Sequence, residues 1–148
     1  MSVFSRDRLR LPPLPEMPKV AELPEPLEQS GCRYLGNVTG DARVRLRGLG
    51  SAGTARIQVS MAGVDMVRLA GSFRIPATSL RSARDAADFD GRIVGANPSL
   101  VIRWQHGEHL PDSGFRLQVA DGSATESHAR WTHSVRKVAR KVEGNAHG

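Results

Sequence analysis

Apolar and polar residues alternate with a period of two through the middle of this chain and switch to a helical period near its end. The clearest strand signal runs from Thr54 to Met61, where Ala55, Ile57, Val59 and Met61 alternate with Thr54, Arg56, Gln58 and Ser60. Such a pattern belongs to a strand with one face in a core. Ala62 and Gly63 punctuate it, as a residue free to take positive φ suits a tight turn. Val67 and Leu69 then flank an outward Arg68 in a second predicted strand. Phe73 and Ile75 flank Arg74 in a third, which Pro76 ends. Leu100, Ile102 and Trp104 alternate with Val101, Arg103 and Gln105, His106-Gly107 reads as a hairpin turn, and Phe115, Leu117 and Val119 alternate with Arg116 and Gln118. Weaker strand signals lie at Cys32 to Val38 and Arg43 to Leu46. Short runs with close turns and no helical pattern between them predict an antiparallel sandwich or barrel.

The period then changes. Ser123 and Glu126 have the spacing of a capping box. Trp131, Val135, Val138 and Val142 follow at steps of four, three and four, one stripe of a helix over about 123–143. Arg136, Lys137, Arg140 and Lys141 crowd its last turns, where positive charge suits the helix dipole, and Gly144 is placed to end it. The stripe needs an apolar surface to cover, and the sheet is the one available. The expected fold is therefore mainly β, a bent antiparallel sheet of about seven strands closed by one C-terminal helix.

The first 30 residues are of another kind. They hold Pro12, Pro13, Pro15, Pro18, Pro24 and Pro26, and proline removes backbone donors and disfavours helix before it. This reads as an extended or disordered arm (1–30) ahead of a single domain (31–143) and a flexible tail (144–148). A polyproline-type arm can also lie in a partner's groove. No apolar run approaches the roughly 18 residues that span a bilayer, and no secretory pattern opens the chain. A cytoplasmic protein is expected, with a peripheral place at the inner membrane face through a partner as the alternative.

Within the β region certain segments occur in a familiar order. They are Tyr34-Leu35-Gly36-Asn37, Gly48-Leu49-Gly50, Gly63-Val64, Phe73-Arg74-Ile75-Pro76 with Leu80-Arg81, Gly91-Arg92-Ile93-Val94, Leu100-Val101-Ile102-Arg103-Trp104 and Asp112-Ser113-Gly114-Phe115-Arg116. In these the chain resembles actinobacterial proteins with a pleckstrin-homology-like domain, which usually carry a transmembrane helix that is not seen here. The resemblance implies a seven-stranded bent sheet capped by a helix, and it implies no catalytic residue.

The candidate chemistry is sparse. Ser113 in Asp112-Ser113-Gly114 lacks the spacing of a nucleophile elbow and reads as part of a hairpin turn. A hydrolase centred on Ser113 and His109 is the distant alternative. His106, Glu108 and His109 are too few for a zinc site and read as a solvated loop. Asp85, Asp88 and Asp90 lack the calcium-loop pattern, His128 and His133 read as surface residues, and the glycines around Gly48 are not a dinucleotide fingerprint. Cys32 is the one cysteine, which excludes an internal disulfide. No enzyme, metal or cofactor is expected.

Charge adds the binding candidates. The net charge is +6, and only Lys19, Lys137 and Lys141 among the basic residues are lysines. On a strand, Arg43, Arg45 and Arg47 would share one face and could clamp phosphates. The helix cluster Arg136, Lys137, Arg140 and Lys141 is the second basic candidate. Aromatics make up 5% of the chain and the core claims them, so nucleic acid is disfavoured. The expected role is a non-catalytic module binding a protein partner through loops, an edge strand and the arm. The alternative is an anionic lipid or polyphosphate on the arginine face.

Overall fold

The computed structural model describes residues 25–39, 42–44, 53–68, 71–86, 88–89, 92–93, 99–118 and 124–147. Seven antiparallel strands form the main sheet: β1 (Glu28–Thr39), β3 (Gly53–Ser60), β4 (Gly63–Val67), β5 (Phe73–Pro76), β6 (Leu80–Ala86), β9 (Ser99–Trp104) and β10 (Asp112–Leu117). Their order across the sheet is β5-β4-β3-β1-β10-β9-β6, with a short β2 (Ala42–Val44) beside the end of β1. The pair β7 (Asp88–Phe89) and β8 (Arg92–Ile93) forms a separate small ribbon, and one helix, α1 (Ala124–His147), follows the sheet.

The long strand β1 makes the bend. Its first half pairs with β3 and its second with β10 and then β2. A bulge interrupts the β10 ladder between Tyr34 and Gly36, and Gly36 takes φ +118°, a backbone conformation that side chains resist. Bulges add local twist and turn a strand. A second irregularity between Leu80 and Ser82 does the same on β6.

One face of each of the seven strands of the main sheet then points inward. Cys32 and Tyr34, Ile57 and Val59, Val64 and Met66, Phe73 and Ile75, Ile102 and Trp104, and Phe115 are all at most 1% exposed. Aromatic rings run through this interior in contact: Tyr34 lies 6.2 Å from Phe73 and 5.6 Å from Phe115, and Phe73 stacks 6.1 Å from Trp104. Such pairs contribute about 0.5–1.5 kcal/mol beyond their burial.

Helix α1 lies mainly on β6 and the 3-10 turn Ala77–Ser79 and reaches β3. Trp131, Val135 and Val138 are buried and Val142 packs partly against them, so the expected stripe is the one used. Polar contacts fix the helix at its flanks. Arg130 Nε donates to Glu28 Oε1 at 3.1 Å, and Arg136 Nη2 donates to the Ala83 carbonyl on β6 at 3.3 Å. His128 was expected on the surface but is 1% exposed, and its Nδ1 donates to Asp85 Oδ1 at 2.8 Å. It stands three residues before Trp131 and so extends the same stripe. Asp85, expected in a solvated turn, is thereby a strand residue with a partner.

Other expectations shift by a residue or more. The first strand begins at Glu28, inside the segment assigned to the arm, because Glu28 and Gln29 pair with Val59 and Gln58. Met61 is not the last inward residue of β3 but sits in the turn, 38% exposed. The phase expected for the second strand is reversed. The two-residue turn pairs Ser60 with Gly63, which sends Val64 and Met66 inward and leaves Val67 exposed. The helix continues through Gly144 to His147, since a helical glycine costs only about 1 kcal/mol.

Gly63 has φ +136°, and a Cβ there would collide with the Ile75 carbonyl oxygen of β5. Gly63→Ala is therefore expected to lower stability by about 3 kcal/mol in urea melts. A loss under about 1 kcal/mol would contradict this close approach.

Candidate functional site

The chemistry-bearing residues of the sequence gather at one end of the barrel, where β1 leaves its bulge and the β9–β10 hairpin turns back. The turn is set by Gly107 at φ +62°, with His106 and His109 exchanging backbone hydrogen bonds at 2.8 and 3.0 Å. The hairpin turns at His106-Gly107 as the pattern predicts, whereas Asp112-Ser113-Gly114, also read as part of a turn, is not in it. Those three residues lie inside β10 instead, and Ser113 faces the core.

Ser113 belongs to a buried chain of polar atoms. Trp104 Nε1 donates to Ser113 Oγ at 2.9 Å, Ser113 Oγ donates to Asn37 Oδ1, and Asn37 Nδ2 donates to Tyr34 Oη. Ser113 and Tyr34 are fully buried and Asn37 nearly so. Buried polar groups need partners, and here β1, β9 and β10 satisfy one another. Ser113 is thus held by an indole and an amide rather than an imidazole, which is not the arrangement of an activated nucleophile. His106, expected in a solvated loop, is 6% exposed with its ring 4.9 Å from Trp104. His109 stays partly exposed and Glu108 exposed. Among the described residues no three His, Cys, Asp or Glu side chains come close enough to hold a metal.

Arg68 closes this end. Its Cζ lies 5.3 Å from the Tyr34 ring centroid, within cation–π range. Burial raises the Tyr34 hydroxyl well above its ordinary range, against the opposing effects of the Asn37 hydrogen bond and the Arg68 charge. Ser72 Oγ accepts from the Arg68 amide at 3.0 Å and donates to its carbonyl at 3.1 Å, so the turn after β4 holds that arginine in place. Nothing in the sequence pattern pointed to this role for Arg68, whose parity depends on the turn before β4.

The predicted arginine face falls partly out of view. Arg43 is in β2, paired with Val38, but its side chain lies outside the described part, as do Arg45 and Arg47 altogether. The helix cluster is described. Arg136, Lys137, Arg140 and Lys141 are all exposed. Arg140 Nε donates to the Arg136 carbonyl at 3.4 Å and Arg136 to β6, whereas the two lysines make no bond among the described residues.

The outer face of the sheet has chemistry of its own. Asp65 is fully buried there, gripped through both carboxylate oxygens by Arg74 Nε at 2.6 Å and Nη2 at 3.0 Å, with Gln58 Nε2 at 3.3 Å. Asp112 is held the same way by Arg103, at 2.9 and 3.2 Å, with Arg84 at 3.5 Å. Phe89 of β7 folds onto this face over Gly114, where a Cβ would come within 2.8 Å of its ring. That cover accounts for the burial of Val101, the partner of Gly114 on β9.

A bent antiparallel sheet with one C-terminal helix, a filled interior and hydrogen-bonded polar groups defines a pleckstrin-homology-like domain. The family model for bacterial PH domain-like proteins matches residues 11–136, most of the chain. The protein belongs to that family. No curated protein matches the chain.

The lone thiol is not part of a reactive site. Burial pushes Cys32 from its ordinary 9.0 up to about 12, so the thiol stays neutral and poorly nucleophilic in the fold. Because the folded value is the higher one, this group's stabilisation is complete below pH 9 and is lost as pH rises toward 12. Urea melts between about pH 8 and 10.5 should therefore fall more steeply for the native chain than for Cys32→Ala, by up to about 1.4 kcal/mol per pH unit. Equal slopes would contradict the burial. In the same assay Ser113→Ala should cost about 1–3 kcal/mol, because it strands Trp104 Nε1 and Asn37 Oδ1 without partners.

Proposed function

We propose that this chain is a non-catalytic interaction module that binds a protein partner on its surface. The supporting observation is the filled interior: the largest side chains inside the barrel are under 2% exposed, and the Trp104–Ser113–Asn37–Tyr34 chain satisfies its own polar atoms. A small-molecule site is ordinarily a concave pocket with a few converging polar groups, and the polar groups here converge on each other. Recognition then falls to loops and outer surfaces, in line with a family whose members are generally non-enzymatic.

The free sheet edges contribute less than loops on this reading. The helix reaches the carbonyl of Ala83 on β6 through Arg136, and β5 has only four residues and ends in proline. Short, proline-ended edges discourage strand addition. The proline-rich segment ahead of β1, residues 1–24, is proposed as a second contact that lies along the partner in extended form. The module works in the cytoplasm on this account, and at a membrane only through its partner. No described helix is long and apolar enough to cross one.

A second reading, binding of anionic lipid or polyphosphate through Arg43, Arg45 and Arg47, draws on the pairing of β2 with β1, which sets Arg43 in a strand. Two measurements separate the readings. Affinity capture from native lysate with chemical crosslinking should recover the same protein repeatedly with the full chain, and less of it after deletion of residues 1–24, which leaves β1 and the Glu28–Arg130 contact intact. Flotation with phosphatidylserine vesicles should be weak and unaffected by Arg43→Gln with Arg45→Gln and Arg47→Gln. Strong flotation that fades with salt and is lost in that triple variant would replace the first reading with the second.

A further inference from the structure

Among the described residues, three arginines on the outer face of the sheet have no acidic partner. Arg33 on β1 stands directly opposite Arg116 on β10, and Arg56 on β3 lies diagonal to Arg33, whose own partner there is Thr54. Directly opposed side chains sit about 5 Å apart at Cβ, and diagonal ones about 7–8 Å. Arg33 and Arg56 are exposed and Arg116 half-buried, and none makes a hydrogen bond or ion pair with a described residue. Like charges facing each other across a ladder destabilise a sheet, so the fold gains nothing from this pairing.

The rest of the face shows what such arginines do when a carboxylate is present. Both described acidic side chains of this face, Asp65 and Asp112, are held by an arginine through Nε and Nη2 at once. This is the fork geometry in which a guanidinium matches a carboxylate. Arg33, Arg56 and Arg116 project from the same sheet surface with the same group and no such partner. The surroundings add neutral donors. Thr54 is exposed beside Arg33, and the Gln118 side chain lies across Gly31, which pairs with Arg56. The register that pairs Phe115 with Leu100 sets Ser99 beside Arg116, and the buried Ser99 Oγ has no hydrogen-bond partner.

We propose that Arg33, Arg56 and Arg116 receive the carboxylates of an acidic segment of the protein partner. This rests on the interaction-module reading and assigns that module a specific face, distinct from the β1–β3 loop and from the helix end. Closely spaced carboxylates are the chemistry that fits: the arginines lie on three neighbouring strands, about 4.8 Å apart from strand to strand. Among the described residues no exposed aromatic accompanies them to stack a base.

The test uses the full chain and a fluorescein-labelled hexaglutamate peptide, followed by anisotropy at about 50 and 200 mM salt. Binding is expected at low salt and weaker at high salt. Arg33→Gln with Arg116→Gln should weaken it about tenfold or more, and Lys137→Gln with Lys141→Gln should leave it unchanged. The arginine variant should melt at the same temperature or roughly 1–3 °C higher, because it removes the opposed charges. Peptide binding that ignores Arg33 and Arg116, or none at roughly 1 mM peptide in low salt, would overturn the proposal. So would arginine-dependent binding of phosphatidylserine vesicles or single-stranded DNA without binding of the peptide. A captured protein partner that binds the arginine variant as well as the native chain would remove this face while leaving the module reading intact. Failure to capture any partner would sink that reading itself.

Discussion

A sheet that turns Ile57, Val64, Ile75, Ile102 and Phe115 to one side cannot leave that side open to water. Bending at the β1 bulge closes most of it, but a gap persists along β6 and the 3-10 turn, and helix α1 lies there with Trp131, Val135 and Val138 against the interior. Each partner needs the other. Removing a buried tryptophan costs about 3–5 kcal/mol, a large share of the roughly 5–15 kcal/mol that holds a domain of this size folded. The hydrogen bonds from His128, Arg130 and Arg136 orient the helix, but the apolar stripe makes it necessary.

That closure shapes what the molecule can do. Inside the barrel the aromatic side chains are buried and Trp104, Ser113, Asn37 and Tyr34 are bonded to one another in a chain. Among the described residues the polar surplus is on the outer face, where arginines outnumber acids. Two aspartates on the outer face are already bound in the fork of an arginine. The guanidinium groups left over are the chemical reason for assigning recognition of an acidic partner to a β-surface.

Ala55, Ile57 and Val59 of β3, the inward residues of β5 and β9 and the helix stripe could be read from periodicity, because a half-buried strand or helix must show it. Three features could not. The inward phase of β4 depends on a turn of two residues at Met61 and Ala62, and one residue more or less would have reversed it. The burial of Ser113 and His106 was missed although the turn at Gly107 was read, because both residue types favour loops as readily as cores and only the Trp104 ring and Asn37 give them partners inside. The opposition of Arg33 and Arg116 joins residues 83 positions apart, and only the register of β1 on β10 brings them together. His128 was legible in principle, since it continues the stripe one step before Trp131.

Native-state hydrogen exchange tests the shared dependence of sheet and helix most directly. The slowest amides of α1 between Trp131 and Val138 should open with the same free energy as those of β1 and β3, and Trp131→Ala should lower both sets by the same amount. If the helix amides opened several kcal/mol more easily than the strands, or if the strands kept their protection in Trp131→Ala, the helix would be an attachment and not the closure of the fold.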